Sequence, residues 1–245
     1  MTVELYHFEP NANGGKPLIA LFEKGVAFES RWVDLLNWEQ HQPPYLAINP
    51  KGQVPALVHD GTTITESTIM GEYIDEVFIG PSLRPGDAAG RERMRRWSRF
   101  GDEFLGPSLS MIAWSQFIAP MMKQRPQAEL KKALEGVPTA ERRSAWSKTI
   151  HNDFHPEELE ESRRRLEASI VRLEQQLART EWLVGTQYTL ADINLFNMAA
   201  PLPIFCPLEA NIERTPHLLS WITRMRERPA VVQALAYSRD SLRTL

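Results

Sequence analysis

Apolar and polar side chains alternate over Val3-Glu4-Leu5-Tyr6-His7-Phe8, which predicts a strand. Leu18, Leu21 and Phe22 then recur at helical spacing, so a helix is expected from Lys16 to Lys24, with Pro17 in its first turn and Gly25 as its stop. Phe28 to Leu35 reads as a second strand, and strand, helix, strand is the composition of a crossover unit with parallel strands. Two short β-prone runs between Val54 and Thr65 are joined by Asp60-Gly61, a hairpin signal. Glu66-Ser67 leads into Ile69, Tyr73, Ile74 and Val77, an apolar stripe expected to pack a helix on the sheet. The order over residues 1–80 is therefore βαβ, a short link, then ββα.

Residues 81–89 are rich in turn formers (Pro81, Pro85, Gly86, Asp87) and read as a linker. Beyond them strand signals almost vanish. Long helical segments run from about Gly90 to Phe117 and from about Pro156 to Arg179, so residues 90–245 are expected to form an all-α domain. The fold class is α/β plus all-α. In Tyr188-Thr189-Leu190-Ala191-Asp192-Ile193, Thr189 can cap the Asp192 amide, the Asp192 carboxylate can return the bond, and Tyr188 can staple onto Ile193. The polar stretch from Lys123 to His155 reads as helix plus loop.

Length and composition narrow the function classes. A chain of 245 residues with 42% apolar content can build real cores. A formal net charge of −3 offers no broad field for a nucleic-acid backbone or an anionic membrane. No apolar run approaches a bilayer span and the N-terminus lacks a basic-then-apolar leader, so the expected location is cytoplasmic. A lone Cys206 gives neither an internal disulfide nor a zinc cluster and reads as a small buried hydrophobe. His151 and His155 sit four apart but without an identifiable third ligand, so no metal is expected. Arg163-Arg164-Arg165, a turn from several glutamates, reads as a solvated, ion-paired helix face.

Candidate chemistry begins at Val54-Pro55. A cis bond there would turn the Val54 main chain outward, where its N–H and C=O can pair with an extended peptide-like ligand as another strand would. Ser67, at a helix N-terminus with free amides, can receive a carboxylate, and Glu66 can hold an ammonium group.

Those residues resemble the glutathione transferase superfamily. Ile48-Asn49-Pro50-Lys51-Gly52-Gln53-Val54-Pro55-Ala56-Leu57, Thr65-Glu66-Ser67 and Thr189-Leu190-Ala191-Asp192 fall in the family's order and span nearly the whole chain. The resemblance implies a thioredoxin-like first domain, a helical second domain, glutathione as co-substrate and commonly a homodimer. It implies that Val54, beside Pro55, pairs with the cysteinyl backbone, that Glu66 and Ser67 receive the γ-glutamyl end, and that His41 and Gln53 contact the glycyl end. The chain is also similar to the bacterial β-etherases, glutathione transferases that cleave lignin-derived β-aryl ethers. That similarity rests on Asn13 through Gly25, Phe28-Glu29, Val33-Asp34, Trp38-Glu39-Gln40-His41 and Ser82-Leu83-Arg84-Pro85, with Arg172-Leu173-Glu174 and Leu183-Val184 further on, and it thins between Lys123 and His155.

One departure stands out. A thiol with a pKa near 8.5 is only a few per cent ionised at pH 7, so the site must favour the thiolate. The β-etherase pattern has a serine where this chain has Gly14. Asn13 matches the pattern and can donate its side-chain N–H, while Gly14 and Gly15 can let main-chain amides approach the sulfur at the N-terminus of the following helix. A second, apolar aromatic substrate is expected against Met111, Trp114, Ser115 and Phe117. If the β-etherase likeness holds, the thiolate attacks the carbon bearing the ether oxygen and expels a phenolate. A general conjugating or peroxide-reducing transferase, or a non-enzymatic glutathione-binding relative, are the alternatives.

Overall fold

A computed structural model describes residues 2–239. Strands β1 (Val3–His7), β2 (Glu29–Trp32), β3 (Ala56–His59) and β4 (Thr62–Ile64) form one mixed sheet in the order β2-β1-β3-β4. Parallel pairing of β1 with β2 sets Leu5 opposite Ser30, and antiparallel pairing with β3 sets Leu5 opposite Leu57. Helix α1 (Gly15–Glu23) makes the crossover, and a single 3-10 turn at Glu39–His41 precedes the short α2 (Pro43–Leu46). Asp60 and Gly61 both take positive φ, 45° and 80°, the two-residue turn whose twist matches a hairpin. Helix α3 (Ser67–Val77) follows β4 and completes a thioredoxin-like arrangement.

Leu18, Ile19 and Leu21 of α1 are fully buried with Leu5 and Leu57, each contributing about 1.5–3 kcal/mol of apolar transfer. Helix α3 departs from expectation. Its buried positions are Met70, Gly71, Ile74 and Asp75, whereas Ile69 and Val77 are 58% and 44% exposed. Both rows are apolar at i,i+4, so periodicity alone does not choose between them. The choice is made by Asp75, whose buried carboxylate receives Lys24 Nζ at 3.1 Å and the Leu83 amide at 2.8 Å, turning that face inward.

A continuous helical rod runs from Ala88 to Lys123: α4 (Ala88–Phe100), α5 (Gly106–Ala113) and α6 (Ala119–Lys123), joined by π-helical segments Gly101–Leu105 and Trp114–Ile118. Asp87 caps its start, accepting from the Gly90 amide at 2.8 Å. The stretch expected as helix plus loop carries two helices, α7 (Gln127–Glu135) and α8 (Ala140–His151). Helices α9 (Pro156–Leu177), α10 (Leu190–Ala199), α11 (Leu202–Phe205), α12 (Pro216–Arg226) and α13 (Pro229–Leu235) complete the described chain.

Thr189 and Asp192 form the expected capping box, and Asp192 also accepts from Leu183 N and Trp221 Nε1, each at 3.0 Å. Burial pushes its carboxyl up to about 6. One core cluster runs from Leu5 and Leu57 through Leu173 and Leu190 to Trp221, and α1 packs against α3, α10 and α13. The loop before α1 is thereby held between sheet and helices. Cys206 is buried, which raises its thiol to about 11. Among the described residues no helix is long and apolar enough to cross a membrane.

Candidate active site

A cavity of about 1140 Å³ opens between the sheet and the helices. One wall comes from the first eighty residues: the loop from Phe8 to Gly14, then Gln53-Val54-Pro55 and Thr65-Glu66-Ser67. The Val54-Pro55 bond is cis. The β1-β3 ladder ends at the Tyr6–Ala56 pair, so the Val54 main chain lies beyond it, on the cavity wall. The approach to Val54 is held by Gln53, whose carbonyl accepts from Tyr45 Oη at 2.5 Å and Asn49 Nδ2 at 2.7 Å. Burial raises the Tyr45 phenol, keeping it a donor.

Glu66 sits at φ 66°, a conformation uncommon outside glycine and found often at ligand sites. Its exposed carboxylate accepts Lys51 Nζ at 3.0 Å, so the position expected to hold a ligand ammonium already receives one from the chain. Ser67 begins α3 beside it, half-buried on the same wall.

The glycine-rich loop corrects one expectation. Asn13 and Gly14 line the cavity; Gly15 does not. Its N–H donates to Ala12 O at 3.0 Å and is unavailable to a sulfur. A Cβ at Gly15 would lie 1.9 Å from Pro10 O and 2.2 Å from Asn197 Nδ2. Position 15 therefore serves close approach, letting Asn197 of α10 donate to Ala12 O at 2.9 Å and pin the loop. On the loop's other side, buried Glu9 accepts from Ser238 Oγ at 2.5 Å and the Arg239 amide at 3.2 Å.

The opposite wall is aromatic. Met111, Trp114 and Phe117 line it as expected, and Phe117 meets Phe205 edge-on at 5.6 Å between ring centroids. Ser115 is not among the lining residues: it lies in the π-helical segment, and its hydroxyl turns back to Ile112 O at 2.8 Å. His41 is a further departure. It is buried behind the wall between Trp38 and Trp146, against Gly52, and does not line the cavity. Burial, then the Arg142 charge, lower its pKa to about 4, so it is a neutral ring.

Residues the sequence reading missed also face the cavity: Gln40, Asn197, and Arg142 and Trp146 of α8. A tryptophan inside an otherwise polar stretch was a usable signal for Trp146. Nothing local marks Asn197, which acts across 185 positions.

Comparison with known proteins agrees with this geometry. The family model "Glutathione S-transferase, N-terminal domain" matches residues 1–76 and "Glutathione S-transferase, C-terminal domain" matches residues 108–229. Protein LigF of Sphingobium sp. is 40% identical, covering 98% of this chain and 95% of its own length. The crystal structure of beta-etherase LigF from Sphingobium sp. strain SYK-6 superposes with a TM-score of 0.93 at 39% identity, over 97% of this chain and all of that one. Glutathione S-transferase 3 of Zea mays is 26% identical over 96% of this chain and 93% of its own.

Proposed function

The chain belongs to the glutathione S-transferase family, enzymes that take glutathione as co-substrate, and on that premise we propose that it cleaves β-aryl ethers adjacent to a ketone. The observation that carries the reading is one cavity with two unlike walls. Val54 main chain, Glu66 and Ser67 face Met111, Trp114 and Phe117 across it. Glutathione docks along the first wall: Val54 pairs with the cysteinyl backbone, Glu66 takes the α-ammonium in place of Lys51, Ser67 and the α3 amides take the α-carboxylate, and Gln53 faces the glycyl end. The sulfur then lies by Asn13 and Gly14, whose N–H groups favour the thiolate in place of a hydroxyl.

The thiolate forms a bond to the carbon bearing the ether oxygen. The carbon–oxygen bond breaks with its electron pair leaving on the phenolate, and the thiol proton goes to solvent. Aromatic packing aligns sulfur, carbon and leaving oxygen, so acceleration comes from orientation more than from a strong base. The similarity to a beta-etherase supports the choice of electrophile.

Incubation with glutathione and each enantiomer of an α-keto β-guaiacyl ether is expected to release a phenol. If neither enantiomer reacts while a chloronitroarene or hydroperoxide is turned over, the ether assignment falls and a general transferase replaces it. Asn13→Ala is expected to leave glutathione affinity near wild type and lower turnover about tenfold; equal rates assign the thiolate to the backbone. The assembly reading is a homodimer, supported by the exposed Ile69, Val77 and Ile79 and testable by sedimentation equilibrium. The cytoplasm, where glutathione keeps thiols reduced, is the proposed compartment, and fractionation tests it.

A further inference from the structure

Six of the eleven buried side-chain polar atoms without a hydrogen-bond partner among the described residues lie in one place: Trp38 Nε1, Gln40 Oε1, both ring nitrogens of His41, Arg142 Nε and Trp146 Nε1. Folded proteins pair nearly all such atoms with protein, water or ligand, and three of these six, on Gln40, Arg142 and Trp146, belong to residues that line the cavity. Trp38, Gln40, His41 and Trp146 are 5%, 1%, 5% and 3% exposed, and Gln40, Arg142 and Trp146 face the cavity. Trp146 stacks obliquely on Trp38 and Trp114, with centroids at 4.5 and 4.8 Å, which fixes the ring that carries its N–H.

The charge is just as specific. Lys148, the neighbouring cation, is satisfied by Glu158 at 2.5 Å, and His41 is neutral. Arg142 forms no ion pair within 4 Å among the described residues; burial lowers its pKa, and the nearby Glu141 charge only partly opposes that. The Trp146 indole N–H and the Arg142 guanidinium are donors that match a carboxylate. Pro138, just before α8, lies within 3.2 Å of a Cβ built on Gly52, so this end of the cavity adjoins Gln53 and Val54.

We propose that Arg142 and Trp146 of α8 form a carboxylate subsite that closes on the glycyl end of glutathione from the helical side. This rests on the glutathione reading above. Arg142 and Trp146 lie outside the sequence motifs that carry the glutathione resemblance. A carboxylate on the electrophile is the other source of the same chemistry.

Calorimetric titration with glutathione and with its glycyl ethyl ester separates the possibilities. Wild type is expected to bind glutathione about thirtyfold more tightly than the ester, the scale of one charged hydrogen-bonded contact. Arg142→Met is expected to bind both ligands about as wild type binds the ester, with Arg142→Lys restoring part of the preference. Trp146→Phe keeps the ring, guards against a folding artefact, and is expected to lose about threefold for glutathione alone. If glutathione affinity is untouched but Arg142→Met selectively loses turnover of carboxylated over neutral electrophiles, the subsite stands and belongs to the electrophile. Arg142→Met matching wild type on both tripeptides and both electrophile classes overturns it. A wild type that binds neither tripeptide removes the glutathione reading, and the subsite with it; a wild type that binds both equally leaves that reading intact and sinks only the glycyl assignment.

Discussion

The sheet-side wall of the cavity offers main-chain and short groups at Val54, Gly14 and Ser67, and the helix-side wall offers bulky side chains. Val54, Gly14 and Ser67 present backbone and short groups, and two of these segments are held from behind: Tyr45 and Asn49 bind Gln53, and Asn197 binds Ala12. Met111, Trp114, Phe117 and Trp146 present large surfaces from a rod interrupted by a π-helical segment and from α8. A main-chain wall suits a ligand that has its own main chain, and it pairs with it with little dependence on side-chain identity. A wall of side chains is free to differ from one relative to the next. In the proposed reading the peptide backbone of glutathione docks on the first wall and the electrophile on the second, with α8 reaching across to the glycyl end.

The sharpest way to break this contrast is at Gly15, where no side chain fits. Gly15→Val is expected to lower stability by about 3 kcal/mol and the melting temperature by about 10 °C, with loss of turnover. A variant that melts like wild type would mean that the loop does not depend on α10. Next comes His41, which backs the same wall as a neutral ring with a pKa near 4, below its ordinary 6.5. The unfolded chain takes up a proton at His41 before the folded one does, so stability is full above pH 6.5 and falls as pH drops towards 4, by about 3 kcal/mol. Denaturant titrations of wild type and His41→Gln across that window should show a shallower pH slope in the variant.

On the aromatic side, Phe117→Ala is expected to lower kcat/KM for an aromatic electrophile about tenfold while glutathione KM stays within twofold. A matching loss for both substrates would erase the division between the walls. The smallest effect belongs to Lys51. Its pair with Glu66 is solvent-exposed on both sides and worth little in stability, yet it competes with the ligand ammonium. Lys51→Ala should tighten glutathione binding about twofold by calorimetry, and weaker binding would show that Lys51 assists the ligand instead.

Much of the sheet-side wall was legible along the chain because its determinants are local. Asp60-Gly61 imposes the hairpin turn and Pro55 marks the wall; in the helical region Thr189 and Asp192 likewise close a cap within four residues. The helix-side wall was read less well. Ser115 was placed by regular helical spacing, which the π-helical segment Trp114–Ile118 interrupts. Helices α7 and α8 were hidden by polar composition, and with them Arg142 and Trp146.

Element order, hairpin, caps and the Val54-Pro55 edge follow from neighbours a few residues apart, and such short-range preferences are written directly in the chain. Which face of α3 turns inward, why position 15 tolerates no side chain, and where His41 comes to rest depend on partners brought from far along it. Lys24 meets Asp75, Asn197 meets Ala12, and Trp146 meets Trp38 only once the core has closed, because burial and close packing select among faces that are equally apolar in the linear pattern.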